Sequence, residues 1–269
     1  MGVGGDVSGG VSGGGAGNGN RAARSLIQPM KARAIAAPSE PCRRSRTIPH
    51  SLTLQAIRAI THNVNELTFE RPDGYEFAPG QATDFALDRD GWRDEKRPFT
   101  FTSLPDADHL QFTIKSYPSH NGVTEQIGMM QAGDGVLIED PWGAIEDKGP
   151  GTFIAGGAGL TPFLSILRAR QASHGDLDGY RLIFSNSREK DIILREELER
   201  MPGLMLDLVL SDEDVDGTHH GQIDADFFDG AGVDYSGIVY LCGPPPMEEA
   251  LSSLLKARGV SDDRLVMEE

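Results

Sequence analysis

Three short segments hold the residues best suited to chemistry. Gly156-Gly157-Ala158-Gly159-Leu160-Thr161-Pro162 follows a run that reads as a strand and opens one that reads as a helix. Glycines there let backbone approach a ligand closely, and a helix N-terminus favours an anion. Thr161 can cap the helix, and Pro162 suits its first turn, where the missing N–H costs nothing. Pro162 stands where the usual dinucleotide fingerprint has its third glycine, and the Gly-Lys-Ser/Thr of an ATP phosphate loop is missing. On these residues alone, a tight strand–helix turn and a nucleotide site are equally good readings. Cys242-Gly243-Pro244-Pro245-Pro246-Met247 lies at the carboxyl end of another expected strand, where open α/β sheets bind ligands. Read alone, Cys242 is a small buried hydrophobe, yet a strand running into Cys-Gly-Pro-Pro is hard to explain by packing. The third segment is Arg97-Pro98-Phe99-Thr100-Phe101-Thr102-Ser103. Its guanidinium can pair bidentately with a phosphate; by itself the segment reads better as a strand with outward polar residues.

A fourth region, Ile114-Lys115-Ser116-Tyr117 followed by Asn121-Gly122-Val123-Thr124, places a glycine before Thr124 at an expected helix start. That is a cradle for an anion. Two other clusters are decoys. Asp212-Glu213-Asp214-Val215-Asp216-Gly217 mimics the start of a calcium loop, but its twelfth position is Ile223, where a bidentate Glu is required. His219 and His220 are adjacent, point apart and lack a spaced third ligand, so both clusters read as loop. No Gly-x-Ser-x-Gly elbow for a hydrolase is present.

The elements that must position these residues change character near Gly149. Before it, alternation predicts strands at 52–57, 64–70 and 111–116. Breakers at Pro72-Asp73-Gly74, Pro79-Gly80, Asp90-Gly91, Pro105-Asp106 and Gly133-Asp134-Gly135 separate short strands, with one helix over 124–130. Pro141-Trp142-Gly143 reads as a closing turn. Short strands at regular spacing predict a small antiparallel barrel. After Gly149, strands at 152–155, 181–184, 204–210, 238–241 and 265–267 alternate with helices at 162–170, 191–201 and 224–228. A last helix carries Met247, Leu251, Leu254 and Leu255 on one face. This alternation predicts a parallel sheet covered by helices.

Composition narrows the partners. The net charge is −16, and residues 1–50 hold seven Lys/Arg against two Asp/Glu, so the remainder is more acidic than the whole. A negative surface repels nucleic acid and anionic membranes, and its charge runs read as solvated faces. No run approaches the roughly 20 apolar residues of a membrane span, and no secretory signal is visible. Two cysteines make no disulfide framework and cannot supply the four ligands of an iron–sulfur cluster. A cytoplasmic setting fits. Ten glycines in the first 20 residues, then a basic, proline-punctuated stretch, predict disorder over 1–49. A transit segment, or a true start at Met30, are the alternatives.

In this order and at these separations the segments resemble the ferredoxin–NADP reductase family of flavoproteins, over residues 52–269. The resemblance implies a two-domain fold: an N-terminal antiparallel Greek-key β-barrel holding FAD over 50–148, and a C-terminal Rossmann-like α/β domain holding NAD(P) over 149–269. It implies that Arg97 pairs with flavin phosphate, with Pro98 in the same segment. Phe99 packs on the isoalloxazine, and Thr100 bonds near its N5. The family more often has Tyr at position 99. Ile114, Lys115 and Ser116, with Gly122, Val123 and Thr124, match its second flavin segment. Gly157, Gly159, Thr161 and Pro162 match its nicotinamide-dinucleotide signature. Cys242 would lie beside the nicotinamide ring, with Gly243 leaving room, Pro244 stiffening the turn and Met247 just beyond. Thr100 and Cys242 are thus the catalytic candidates.

The implied activity moves a hydride from nicotinamide C4 to flavin N5, then electrons to a separate acceptor such as ferredoxin, flavodoxin or a small molecule. A reductase of free flavin or quinone is an alternative. So is a non-catalytic flavin-binding regulatory module, against which the intact Thr100, Gly159 and Cys242 argue. NAD sites place Asp or Glu at the end of the second strand. That position reads Ser185-Asn186-Ser187-Arg188-Glu189-Lys190, and Arg188 and Lys190 could meet a 2′-phosphate, so NADPH is favoured over NADH. The chain ends Met267-Glu268-Glu269 where plant-type reductases have a stacking aromatic, and the resemblance to parts of the family that use a terminal-region carboxylate makes Glu268 or Glu269 a further candidate.

Overall fold

The computed structural model describes residues 49–118, 121–143 and 145–268. The expectation for 1–49 lies, but for its last residue, outside the described residues. Two sheets organise the rest. The first contains β1 (His50–Ala59), β2 (Val64–Glu70), β3 (Gln81–Leu87), β4 (Arg97–Thr100), β5 (His109–Lys115), β6 (Gly135–Ile138) and β7 (Trp142–Gly143). Its order is β4-β3-β6-β1-β2-β5, with β7 on β3 and every pairing antiparallel. A bridge between Phe101 and Phe112, and a 2.7 Å bond from Thr102 N–H to Gln111 O, carry the chain from β4 onto β5 and close the barrel. Closure removes the unpaired edges an open sheet would expose. Leu67, Phe69, Phe85, Phe101, Phe112 and Ile138 fill the interior. The expected Greek-key barrel is present.

β3 was not legible from alternation, because Ala82, Thr83, Phe85, Ala86 and Leu87 are all buried. Buried on both faces, a strand loses the polar–apolar period that marks it. Thr83 is satisfied by donating to Glu139 O at 2.7 Å. The expected helix at 124–130 is α1 (Val123–Gly128).

The second sheet is wholly parallel, in the order β11-β10-β9-β8-β12-β13. Its strands are β8 (Gly151–Gly156), β9 (Arg181–Asn186), β10 (Met205–Leu210), β11 (His219–His220), β12 (Ile238–Cys242) and β13 (Leu265–Met267). The helices are α2 (Leu160–His174), α3 (Arg195–Glu199), α4 (Ala225–Ala231) and α5 (Pro245–Ala257). This is the expected Rossmann-like arrangement, with two local differences. His219 and His220 form a short strand beside β10 rather than a loop. The helix expected at 191–201 shrinks to α3, preceded by a 3-10 turn at Glu189–Asp191. Between them Ile192 is extended and Leu194 left-handed (φ 53°). Ile192 and Ile193 join the main core, and burying both pulls the chain out of helical geometry.

Helix α2 sets the relation between barrel and α/β layer. Leu160, Pro162, Phe163, Leu164, Ser165, Ile166 and Leu167 are buried, with Thr161 half-buried among them, because the helix lies between β8 and the barrel. Val64 and Ile145 join its core from the barrel side. Arg168 extends from α2 to donate to Thr102 O at 2.6 Å and Gln111 Oε1 at 3.0 Å, while its other nitrogens hold Glu197. Tyr240 on β12 stacks on Phe153 at 4.0 Å, donates to Gly149 O and accepts from Lys148 N–H. Among the described residues, no helix is long and apolar enough to cross a membrane.

Candidate active site

A cavity of about 440 Å³ opens where the barrel meets the carboxyl ends of β8 and β12. From the barrel come Pro98, Phe99 and Thr100 of β4, Ile114 and Lys115 of β5, and Thr124 of α1. From the α/β layer come Gly157, Gly159, Thr161 and Pro162, then Cys242, Gly243 and Pro244. Segments from Pro98 to Pro244 thus share one space. A larger cleft, about 730 Å³, lies elsewhere, between the end of β1 and α3, and contains none of these motif residues.

Two parallel strand ends fix the α/β wall. β8 and β12 are neighbours, so the turns that follow them rise together. Gly159 makes this possible: a Cβ there would stand 2.3 Å from Cys242 O and 2.8 Å from Gly243 N. At Gly156 it would meet Met247 Sδ at 2.5 Å. Met247 therefore packs beneath the turns rather than lining the cavity. Gly157 is different, with a left-handed φ of 52° and open space on its Cα, where Lys115 Nζ at 3.9 Å is the nearest neighbour. Thr161 donates its hydroxyl to Ala158 O at 3.1 Å, so it closes the turn rather than capping with an acceptor.

The barrel wall is half-buried. Phe99 packs edge-on against Phe85 of the barrel core at 5.4 Å, which aims its outer surface at the cavity. Lys115 is a cation of this lining, and its ammonium lies 5.7 Å from the Tyr117 ring. Several expected residues stand outside the cavity. Arg97 is exposed, donating to Lys96 O and 3.6 Å from Glu95. Ser116 is buried against Gly128 of α1 and Val123 lies in the barrel core. Gly122 precedes α1, where the Glu125 carboxylate accepts from Asn121 N–H at 2.7 Å. Ser185, Asn186 and Arg188 gather at the end of β9, beside Gly156.

Glu268 lines the cavity as well. Its signal was strand register: Leu241 pairs with Met267 in a parallel ladder, so the next pair is Cys242 and Glu268. Cys242 Sγ is 4.0 Å from Glu268 Oε2, and Glu248 accepts from Gly243 N–H at 2.8 Å. Burial, then the Glu268 and Glu248 carboxylates, push the Cys242 thiol up to about 12. Burial, then Glu248, also raises Glu268. The thiol is therefore a neutral wall, not a nucleophile.

A testable pH dependence follows. The folded thiol keeps its proton where the unfolded one, near 9, loses it. Stability from Cys242 is therefore complete below pH 9 and is lost as pH rises toward about 12. Cys242→Ala should lose roughly 1–2 kcal/mol less than the parent between about pH 8.5 and 10.5. Urea unfolding at both pH values measures this difference, and identical pH slopes would refute it. Buried Tyr75 and Tyr240 are also raised, and they act equally in both proteins.

Comparison with known proteins agrees with this geometry. Residues 153–253 match the model of the oxidoreductase NAD-binding domain. The reductase component of propane 2-monooxygenase from Rhodococcus jostii (strain RHA1) is 30% identical over 211 residues, 72% of this chain and 55% of the relative. The electron transfer component of 2-halobenzoate 1,2-dioxygenase from Burkholderia cepacia is 31% identical over 68% of this chain and 55% of its own. A ferredoxin NADP+ reductase from Neisseria gonorrhoeae, solved with FAD and NADP, superposes with a TM-score of 0.72 at 18% identity, covering 82% of this chain and 98% of that one. The chain shares the fold of that ferredoxin NADP+ reductase and is similar in sequence to these reductase and electron transfer components. It spans about half the length of these two curated relatives. In this reductase-like fold the barrel and the parallel sheet are the two layers between which the cavity forms.

Proposed function

We propose that the chain is an FAD-dependent NAD(P)H oxidoreductase that passes electrons to a separate acceptor. The observation carrying this reading is the single cavity where β4 and β5 face the turns after β8 and β12. Its volume falls within the roughly 300–1,000 Å³ of small-molecule sites, and its walls suit two flat rings. Phe99 and Ile114 supply an apolar face; Thr100 supplies a hydroxyl, and the turn at 157–161 supplies backbone N–H groups. A flavin held here would supply the hydride-accepting and electron-releasing chemistry.

The residues then have distinct tasks. Phe99 and Ile114 orient one ring and exclude water from its face. Thr100 presents its hydroxyl beside the ring edge. The turn at Gly157–Gly159, left open at the Gly157 Cα, receives the dinucleotide backbone, and Lys115 adds a positive charge across the cavity. Cys242 and Gly243 form the opposite wall, which would hold the second ring. The neutral thiol adds no charge of its own to this wall. Arg97, at the rim, is assigned to flavin phosphate. Holding two reacting groups in a fixed orientation is what such walls would contribute to rate.

The relatives are reductase or electron transfer components of oxygenase systems by name. We assign the acceptor here to the same class, a ferredoxin, flavodoxin or oxygenase component, in a cytoplasmic setting. Anaerobic titration of the purified protein with NADH and NADPH should bleach a bound flavin spectrum stoichiometrically. A colourless protein that FAD and FMN cannot reconstitute would end the flavoprotein reading. A yellow protein bleached by neither nucleotide would move it to a regulatory flavin-binding module. Equal turnover with free flavin, quinone and protein acceptors would favour a partner-independent reductase.

A further inference from the structure

The parallel sheet brings together two segments at the far end of the dinucleotide site. The strand next to the Gly157 turn is β9, with Ser185 paired to Gly156. In such sheets the adenosine ribose is read at the end of this second strand. From sequence, this end carries Arg188 and Lys190, which suit a 2′-phosphate. β10 runs parallel beside β9, with Leu210 opposite Asn186, so the residues after β10 emerge at the same edge. Ser211 N–H donates to Asn186 O at 3.0 Å and Asp212 N–H to Ser187 O at 2.9 Å. The Glu213 carboxylate accepts from Glu189 N–H at 2.8 Å. The acidic 211–216 segment is thus hydrogen-bonded onto the 186–189 segment.

The charge at this edge is then decided by both segments. Arg188 and Lys190 stand against Glu189, Asp191, Asp212, Glu213, Asp214 and Asp216. Glu189 is paired with Arg195, and Asp191 accepts from Arg188 N–H while facing His62 at 3.6 Å. The 211–216 segment holds four carboxylates and no cation. A buried donor, Asn186 Nδ2, is left without a partner at this strand end. A neutral amide and carboxylates suit ribose hydroxyls, which both donate and accept. They do not suit a second phosphate carrying up to two negative charges.

We infer that the dinucleotide site selects NADH over NADPH, with Asp212 and Glu213 as the residues that reject a 2′-phosphate. The inference rests on the dinucleotide site proposed above and reverses the preference read from 185–190 alone. Its carrier is register: the two segments are 22 or more residues apart in the chain and adjacent in the sheet.

Two measurements test it. Calorimetric binding of ADP and of 2′,5′-ADP to the purified protein reads the 2′ position without needing flavin or turnover. ADP should bind about ten-fold more tightly or better, with the gap narrowing at high salt as the carboxylates are screened. In the double variant Asp212→Asn/Glu213→Gln, which keeps the acceptor for Glu189 N–H, the gap should close by about ten-fold. Kinetics of flavin bleaching should show the same ordering of NADH over NADPH. Tighter binding of 2′,5′-ADP to the parent, or an unchanged ratio in the double variant, would overturn the inference. Discrimination between the two fragments without any bleaching would support the inference while the hydride-transfer reading failed.

Discussion

Gly159→Ala should lower stability by about 2–3 kcal/mol and slow flavin reduction about 100-fold. The added methyl would stand 2.3 Å from Cys242 O, 2.6 Å from Cys242 C and 2.8 Å from Gly243 N. All three are backbone atoms of a neighbouring strand end, so no side chain can rotate away. Relief requires the turn after β8 to separate from the turn after β12. Those two turns are the wall that would orient the second ring, and loss of alignment by an ångström carries the rate penalty. Conformation is not the cause, because φ at Gly159 is −63°, open to any residue. Gly157→Ala is the contrasting case. Its φ of 52° disfavours a side chain, yet the nearest atom to the new methyl is 3.9 Å away. It should cost about 1–2 kcal/mol in strain without parting the strand ends. Urea unfolding and stopped-flow bleaching of both variants measure the contrast. A Gly159→Ala protein that reduces its flavin at the parent rate would overturn this account of the wall.

The same glycine shows what the sequence could and could not carry. Gly156–Pro162 and Cys242–Met247 were legible as a pair of turns at strand ends, since strand–turn–helix chemistry is local. The reason Gly159 must be glycine was not, because Cys242 meets it only through the β8–β12 pairing. Glu268 was similarly underweighted: its importance lies in pairing opposite Cys242, which one strand alone does not reveal. β3 hid for a different reason, as burial on both faces erased its period. The helix expected at 191–201 gave way when the core captured Ile192 and Ile193. The acidic 211–216 segment read as a solvated loop because its hydrogen bonds run to another strand's end. Elements governed by local pattern were readable; roles set by register between distant strands were not.

Arg168→Met should uncouple the barrel from the α/β layer and cost about 2–3 kcal/mol. The Arg168 side chain is 17% exposed, and its guanidinium forks onto both oxygens of Glu197 at 2.6 and 2.8 Å and reaches Thr102 O and Gln111 Oε1 on the barrel. Methionine keeps the stem's packing and removes every one of these bonds. Thr102, a fully buried residue, then loses a donor at its carbonyl. Lysine should not rescue the loss, because one ammonium cannot reproduce the planar fork that faces two acceptors at once. Arg200→Ala is the control: its partner Glu196 is 81% exposed, and such pairs contribute about 0–1 kcal/mol. Both tryptophans, Trp92 and Trp142, lie in the barrel half of the chain, whereas the longer helices α2 and α5 lie in the α/β half. Tryptophan fluorescence and far-ultraviolet dichroism therefore report on different layers. In the parent the two urea transitions should coincide; in Arg168→Met the barrel should unfold at a different midpoint. Coincident transitions at the parent midpoint would show that the shared apolar core of Val64, Ile145 and α2 joins the layers without help from Arg168.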